Sequence, residues 1–296
     1  RFIQSGLRSL GGEELRALQA DVDTAGGYIT APQQFVNELL KGVDNMVFVR
    51  QYARVFPLAS AESLGVPVLD SDPADPIWTS ELGTGDEDSD MDFGKRELRP
   101  HPLAKRIKVS RTLLRKSTLP VEQIVRERLA YKFGTVMENN YLNGNGAGRP
   151  MGVFTAASAG MGITTARDVS TGNTTTSIQT DGLIEAKFSL RAQYWPRARW
   201  TFHRDAVKQI AKLKDGDNLL DLPFDISEYA PNTFTTGLYV GLLCDWSYYW
   251  IVEALDLQIQ RLDELYAETN QVGFIGRYEG DGMPVLEEAF TRVKLA

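Results

Sequence analysis

Three features of the sequence predict an α+β fold. Apolar residues between positions 121 and 141 recur at i, i+3 and i+4, which is the spacing of one helix face. Helical and strand-like segments alternate between positions 181 and 213, and strand-like segments fill the last fifty residues. Because a chain of 296 residues is near the size at which one hydrophobic core stops growing, we expect two lobes rather than one.

Residues 1–57 are predicted to form an N-terminal arm with a first helix and a first strand. Gly26 and Gly27 interrupt this segment, and apolar residues from Phe35 to Val43 then return at helical spacing. The stretch Val47–Pro57 is predicted to be the strand.

Residues 58–105 are predicted to form a long, protruding β-hairpin. Prolines and glycines are scattered through this stretch, and its apolar residues are too few to make a core of their own. A two-stranded hairpin is at best marginally stable alone in water, so this one needs a neighbour to lie on.

The charge of the hairpin is polarised along the sequence. An acidic tip is followed by a basic stretch in which only Glu97 opposes the cations. One interpretation is two solvated faces; the other is complementarity between copies, with the acidic tip of one subunit against the basic stretch of the next. On the second interpretation, the candidate inter-subunit contacts, with two aromatic residues of the hairpin included, are Trp78, Glu81, Asp86, Asp88, Asp90, Phe93, Lys95, Arg96, Arg99, Lys105 and Arg106.

The clearest element is a helix at about 119–143. It is predicted to begin near Thr118, with Pro120 in its first turn, and to end at the run Asn143–Gly146. About 23 residues at 1.5 Å per residue make a strut of roughly 35 Å. This helix belongs with residues 106–180, of which 155–180 are predicted to be irregular.

Residues 181–245 are predicted to form the lobe in which helices and strands alternate. Its elements are a helix over Asp181–Trp195, a short strand over Arg199–Phe202 and a second helix over Arg204–Leu213. Residues 246–296 are predicted to be strands, interrupted by turn residues at Glu279–Gly282.

Composition argues against several functional classes. The 32 Lys and Arg residues against 39 Asp and Glu residues give a net charge of −7, so the basic balance of a typical nucleic-acid-binding protein is absent. One cysteine and two histidines exclude a thiolate-rich or multi-histidine metal site, and the low cysteine count fits a reducing compartment such as a bacterial cytoplasm. No apolar run approaches the roughly 18 residues that span a membrane.

Motifs that look like known sites fail on their context. The glycine-rich run Asn143–Gly148 closes a helix, whereas a dinucleotide-binding loop opens one. The run Asp88–Asp92 begins like a calcium loop, but Phe93 and Arg99 stand where Gly and Glu are required. Cys244 is predicted to be a buried small hydrophobe. We therefore predict no catalytic residue, no cofactor and no metal site.

Five stretches, in order along nearly the whole chain, carry a resemblance to a known family. They are Asp23–Pro32; Ile77–Glu81 with Phe93 and Leu98; Ile107–Leu114; Glu138–Gly146 followed by Arg149–Val153; and Asp245–Tyr249 with Ala289–Lys294. In this order they resemble the major capsid protein family of tailed bacteriophages. The resemblance implies the Hong Kong 97-type phage capsid fold, with an N-terminal arm, an extended β-hairpin loop, a peripheral domain with a long spine helix, and an axial α/β domain.

The resemblance also implies a function and partners. The family forms hexamers and pentamers that tile an icosahedral shell around double-stranded DNA, so the chain is expected to be a structural, non-enzymatic component of a virion that assembles in the bacterial host cytoplasm. Expected partners are further copies, a scaffolding segment, a maturation protease, portal and cement proteins, and packaged double-stranded DNA bound without sequence preference, but no membrane. The alternatives are an encapsulin-like bacterial nanocompartment shell protein and a carboxylate-based hydrolase with its site in the axial lobe.

Three departures from the family pattern add expectations. Residues 77–94 hold no lysine that could join to Asn270 of a neighbour, so no covalent crosslink between copies is expected. Lys214–Asn218 runs almost directly into Leu219–Pro223, so the axial loop is shorter or less complete than in the family. Arg1 falls near the point where the ordered mature arm of the family begins, so the resemblance implies an upstream scaffolding segment that a protease removes.

Overall fold

The computed structural model describes residues 48–58, 62–71, 92–117, 120–157, 162–213 and 222–296, all of which belong to the unit Val43–Ala296. The helices are α1 (Val49–Tyr52), α2 (Arg111–Lys116), α3 (Val121–Asn143), α4 (Thr180–Ser189) and α5 (Arg204–Ile210). The strands are β1 (Arg54–Pro57), β2 (Leu64–Ser71), β3 (Asp92–Leu98), β4 (His101–Ser110), β5 (Asp168–Val169), β6 (Arg199–Phe202), β7 (Phe224–Ile226), β8 (Tyr239–Cys244), β9 (Tyr249–Leu262), β10 (Gln271–Pro284) and β11 (Phe290–Lys294). Short 3₁₀ turns cover Thr165–Arg167, Ala192–Arg197, Trp246–Tyr248, Ala267–Thr269 and Glu287–Ala289.

A four-stranded sheet in the order β1-β9-β10-β4 forms the first layer. β10 is antiparallel to both β9 and β4, whereas β1 is parallel to β9. The register places Val272 opposite Val109 and Tyr278 opposite Leu103. Among the described strands, β4 therefore lies at one edge of this sheet, and its outer row of backbone groups pairs with none of them.

The long helix α3 packs on one face of the four-stranded sheet. Leu129 and Phe133 of α3 are buried against Tyr278 of β10, with Ile107 of β4 packed at the margin. Gly276 makes the close approach possible, because a Cβ atom there would lie 2.6 Å from Cε2 of Phe133. The apolar face that the sequence predicts for this helix is thus the face that covers the sheet.

A second sheet has the order β5-β11-β8-β6-β7. Helix α4 lies against β5 and β11, and its Leu183 is buried in the same core as Trp200 of β6. This core continues into the first layer through Tyr141 of α3 and Tyr249 of β9, whose rings meet edge to face at 5.7 Å. The two sheets therefore share one apolar core.

Strand β10 corrects one prediction from the sequence. The run Glu279–Gly282, predicted to break the strand, lies inside it, and the pairing with β9 is instead irregular on either side of Glu279. The glycines serve packing, since a Cβ atom at Gly280 would lie within 3 Å of the Tyr278 ring. Turn-like composition here marks a β-bulge and close packing rather than a turn.

The stretch Val47–Pro57 is a second correction. Only its last four residues form the strand β1, and Val49–Tyr52 forms a helical turn. The backbone N–H groups of Phe48 and Val49, at the start of this turn, donate to the carboxylate of Glu138, 90 residues further along the chain. A partner so distant in sequence leaves no local signal for a helix.

The predicted helix Asp181–Trp195 is also shorter in the structure. Helix α4 ends at Ser189, and Ala192–Arg197 forms a separate 3₁₀ turn that contains Pro196. The indole N–H of Trp195 donates to the carbonyl of Leu190 at 2.9 Å, so the end of α4 is closed by a side chain rather than by another helical turn.

The start of the long helix also differs from the prediction. Thr118 lies outside the described residues, and Pro120 precedes α3 instead of lying in its first turn.

Candidate inter-subunit surfaces

The predicted contact residues divide into those that the structure describes and those that it does not. Trp78, Glu81, Asp86, Asp88 and Asp90 lie outside the described residues. Phe93 lies on β3, with its backbone opposite Leu69 of β2. The remaining five are cations, and the structure places them in three different surroundings.

The base of the hairpin is anchored to the body of the protein. Strands β2 and β3 pair with each other, with Leu64 opposite Leu98. Val66 and Leu98 are buried against Met283 and Val285. The base of the hairpin therefore packs on apolar residues of its own chain. That the hairpin lies on a neighbouring copy stays a prediction.

Lys95, Arg96 and Arg99 belong to this base. The side chain of Lys95 lies across Gly65, where a Cβ atom would be 2.7 Å from Cε of the lysine. Arg96 is half-buried. The Arg99 guanidinium lies 3.2 Å from a carboxylate oxygen of Glu97, and hydrogen bonds from Ser63 and Arg99 lower the pKa of Glu97. Arg99 is thus paired within the hairpin base.

Asp281 fixes the point where the hairpin returns to the four-stranded sheet. Its buried carboxylate accepts the backbone N–H of Arg99 at 3.0 Å and that of Gly282 at 2.8 Å. Burial raises the pKa of this carboxyl group. This role was not predicted, because Asp281 stands in a run with the composition of a turn.

Strand β4 presents its cations on two opposite faces. Side chains alternate along a strand, so Lys105 and Arg106 point to different sides of the sheet. Lys105 lines a groove of about 470 Å³ between β4 and α3, with Arg128 and Lys132 of the helix beside it and an apolar lining that includes Leu129 and Phe133.

The other face of β4 carries a second group of cations, here called the cationic sheet face and defined as Arg106, Lys108 and Arg277. All three side chains are exposed. Lys108 lies 4.4 Å from the centre of the Tyr266 ring. In the described part of the chain, none of the three takes part in an ion pair.

A buried polar network fastens the start of the described chain to both the helix and the sheet. Arg50 donates to both carboxylate oxygens of buried Glu253, at 3.0 and 2.7 Å, and Tyr278 donates to the same carboxylate at 3.1 Å. Glu138 of α3, fully buried, accepts from the backbone of Phe48 and Val49 at 3.4 and 3.2 Å, and burial raises its pKa to about 7. No role for these residues was predicted from the sequence.

Arg292 is another buried charge that was not predicted from the sequence. Its guanidinium bonds the carboxylate of Asp168 at 2.6 Å and the carbonyl oxygens of Thr155 and Thr164 at 3.0 Å each. The ring of Tyr239 lies 4.6 Å away. This arrangement ties β11 to the irregular segment before β5.

Cys244 and His203, two side chains of types that often act in catalysis, have structural contacts here. Burial raises the pKa of the Cys244 thiol well above its ordinary value, which disfavours the reactive thiolate. His203 caps α5, because its Nδ1 accepts the backbone N–H of Asp205, and its Nε2 lies 3.3 Å from Glu228. Within the described ranges, no three metal-ligating side chains come together, and no helix is long and apolar enough to cross a membrane.

A hairpin rooted on the core, a long helix across one face of a four-stranded sheet, and a second sheet with its own helices define a phage capsid fold of the Hong Kong 97 type. The chain belongs to the phage capsid family, whose profile matches residues 26–295. It is a structural protein of the phage capsid.

Solved capsid structures show the same fold. The capsid of an empty GTA particle is similar with a TM-score of 0.78 at 23% identity, covering 94% of this chain and 99% of that one. The capsid of a native GTA particle gives a TM-score of 0.77 at 24% identity, covering 92% and 97%. Microbacterium phage Oxtober96 gives a TM-score of 0.69 at 15% identity, covering 93% and 100%. No curated protein matches the sequence.

Proposed function

We propose that this chain is the major capsid protein of a tailed double-stranded DNA phage, which self-assembles into the hexamers and pentamers of an icosahedral head that encloses the genome. The observation that carries the proposal is the match of the phage capsid family over residues 26–295. The proposed function is mechanical. It depends on residues that contact other copies of the chain, not on residues that act on a substrate.

The hairpin and the neighbouring cations are the proposed contacts. The base of the hairpin is held by Leu98 and Asp281, so its position relative to the sheet is defined. The tip residues Trp78, Glu81 and Asp86–Asp90 and the cations that follow them then provide apolar and charged groups for a neighbouring copy. A shell interface of standard size buries on the order of 1,600 Å², and its strength comes from many such contacts together.

Other partners follow from the same role. Assembly takes place in the bacterial host cytoplasm with a scaffolding segment, a maturation protease, a portal and cement proteins. Contact with packaged double-stranded DNA is weak and independent of base sequence, because a chain of net charge −7 lacks the basic balance that strong phosphate binding needs.

Assembly of the purified chain tests this function. We expect the protein to sediment as large particles that negative-stain electron microscopy resolves as closed shells tens of nanometres across. The matched control replaces residues 72–91 with a two-residue Asn-Gly turn, because Ser71 and Asp92 are already paired and can close a tight hairpin. This variant should keep the unfolding transition of the subunit but form no shells. A wild-type chain that stays small at every salt and protein concentration would contradict the proposal.

A further inference from the structure

The loop that follows α3 begins with a sequence that can react with itself. Asn143-Gly144 and Asn145-Gly146 are the two Asn-Gly pairs of the chain, and they follow one another directly. In such a pair the backbone nitrogen of the glycine can attack the side-chain carbonyl carbon of the asparagine, because glycine has no Cβ atom to hinder the approach. The rate of this attack depends on how firmly the fold holds the glycine nitrogen and the asparagine side chain.

The end of α3 holds the first pair in place. Asn143 is the last residue of the helix, and its side-chain NH₂ group donates to Oδ1 of Asn139 at 3.1 Å and to the carbonyl of Tyr229 at 2.7 Å. The backbone N–H of Gly144 donates to the carbonyl of Asn140 at 2.8 Å. Gly144 is also buried, and backbone carbonyl groups leave no room for a Cβ atom there. In this pair, the fold therefore keeps the glycine nitrogen away from the side-chain carbonyl carbon.

The second pair is held much less firmly. The backbone N–H of Gly146 lies 3.4 Å from the carbonyl oxygen of Pro150, which is long for a hydrogen bond. Asn145, Ala147 and Gly148 are exposed, and no atom of the described residues lies within 4 Å of the position that a Cβ atom would take at Gly148. Loops with so few contacts open at little cost in free energy. The nitrogen of Gly146 can therefore leave its weak partner.

The side chain of Asn145 is also arranged for the attack. Its Oδ1 accepts the backbone N–H of Ala147 at 3.2 Å, as in an Asx turn. A donor on this oxygen stabilises the negative charge that the oxygen gains when a nucleophile adds to Cγ. Asn143 and Asn145 are both exposed, so access of water does not distinguish the two pairs. The difference between them lies in the hydrogen bonds.

We propose that Asn145 is a site of spontaneous deamidation through a cyclic imide with Gly146, and that the fold protects Asn143 from the same reaction. The nitrogen of Gly146 loses its proton and forms a bond to Cγ of Asn145. The bond between Cγ and Nδ2 then breaks, and ammonia leaves with that proton. One water molecule opens the ring at Cγ, which gives aspartate, or at the main-chain carbonyl, which gives isoaspartate. Either product carries one more negative charge than the asparagine did.

The isoaspartate product changes the loop as well as its charge. Its main chain passes through the former side chain, which adds one carbon to the backbone between α3 and Met151. The loop is tied at both ends, because Gly152 donates to the carbonyl of Gly144 at 2.8 Å and Met151 donates to that of Gly282 at 2.7 Å. We expect these two bonds to hold and the weak bond of Gly146 to be lost. The reaction needs only the folded subunit and water, so it does not depend on assembly.

Ageing of the purified, unassembled subunit at neutral pH tests the proposal. Trypsin cleaves after Lys132 and Arg167, and Pro150 prevents cleavage after Arg149, so both pairs lie on one peptide, residues 133–167. Fragmentation of this peptide in a mass spectrometer assigns each converted amide by the mass difference between an amide and an acid. Asn145 should convert at least about tenfold faster than Asn143, because local opening of the helix end is required at Asn143.

Two controls separate the effect of the fold from that of the sequence. In the full chain unfolded in urea, the hydrogen bonds of both pairs are lost, so Asn143 and Asn145 should convert at similar rates. In the variant Asn145→Gln, attack would have to form a six-membered ring, which is slower, so position 145 should stay unmodified. Because the side chain is exposed, this variant should keep the unfolding transition of the wild type.

Three outcomes would overturn the proposal. Equal conversion of Asn143 and Asn145 in the folded subunit would mean that the end of α3 gives no protection. Slow conversion of both, compared with the unfolded chain, would mean that the loop holds Gly146 as firmly as the helix holds Gly144. Undiminished conversion of the peptide from Asn145→Gln would assign the reaction to a different asparagine. Each result is independent of whether shells form, so the proposed function is tested separately.

Discussion

Glu138 is the residue whose chemistry depends most clearly on its place in the fold. Its carboxylate is fully buried and accepts two backbone N–H groups among the described residues, and burial raises its pKa to about 7 from 4.5. The charge of Asp225 nearby raises the pKa further, and the phenols of Tyr141 and Tyr249 are close neighbours. The folded state therefore binds a proton more tightly than the unfolded state does.

This difference in proton affinity between the folded and unfolded states determines how the free energy of unfolding changes with pH. A carboxyl group with a raised pKa in the folded state contributes less stability as pH rises from about 4.5 to about 7, and its contribution is constant above that range. The change is about 3 kcal/mol over the whole window. The Glu138→Gln variant should lack this component, because an amide does not titrate.

Urea unfolding of the unassembled subunit at pH 5 and pH 8 measures this component. The wild type should lose more free energy of unfolding between the two pH values than Glu138→Gln does. Other groups with raised pKa values, such as Asp281, are common to both proteins and cancel in the comparison. Equal pH dependence in the two proteins would mean that Glu138 titrates as an ordinary exposed carboxylate.

Among the secondary-structure elements, α3 and the four-stranded sheet can pack closely because the strand residue between them is a glycine. Gly276 lies beneath Phe133 and Leu129, at distances that leave no room for a Cβ atom. Gly276→Ala should destabilise the subunit by about 1–3 kcal/mol, since overpacking forces the helix or the ring to move. The loss should appear as a lower midpoint of chemical unfolding.

The double variant Gly276→Ala with Phe133→Leu is the control for this contact. A smaller side chain at position 133 makes room for the new methyl group, so the two substitutions together should cost less than the sum of the two separately. Strict additivity would mean that the helix does not approach the strand as closely as the structure places it.

Elements with a local signal could be predicted from the sequence, and those that depend on distant partners could not. The apolar spacing from Val121 to Tyr141 predicts α3 because helical periodicity is visible within the segment itself. Helix α1 was missed because Glu138 binds its start from another part of the chain. β10 was predicted to be interrupted because glycines that make room for tyrosine rings have the composition of a turn.

The charged residues near the hairpin could be identified from the sequence, but their arrangement on the sheet could not. The basic stretch in the sequence identified Lys105 and Arg106 together as candidates. The structure separates them, because α3 covers the face of the sheet that carries Lys105 and leaves open the face that carries Arg106. Arg277 was not selected, because it is far from the basic stretch in sequence and reaches it only through the pairing of β10 with β4.

At the scale of the whole molecule, the absence of lysine from residues 77–94 predicts a shell held by non-covalent contacts. Asn270, the expected acceptor of a crosslink, is exposed at the turn before β10, and its side chain lies 3.5 Å from the hydroxyl of Thr112. Boiling assembled particles in detergent should therefore give a single monomer band on a denaturing gel. A ladder of multimers that survives boiling would contradict this prediction.

Copies of this chain are proposed to close into a shell, which single-particle electron cryo-microscopy of the purified assemblies would reveal. We predict an icosahedral reconstruction with pentamers at the five-fold vertices and hexamers between them, in which each subunit has the fold described above and its hairpin contacts a neighbouring copy. A homogeneous monomer or small oligomer as the final state under all assembly conditions would contradict the proposed shell.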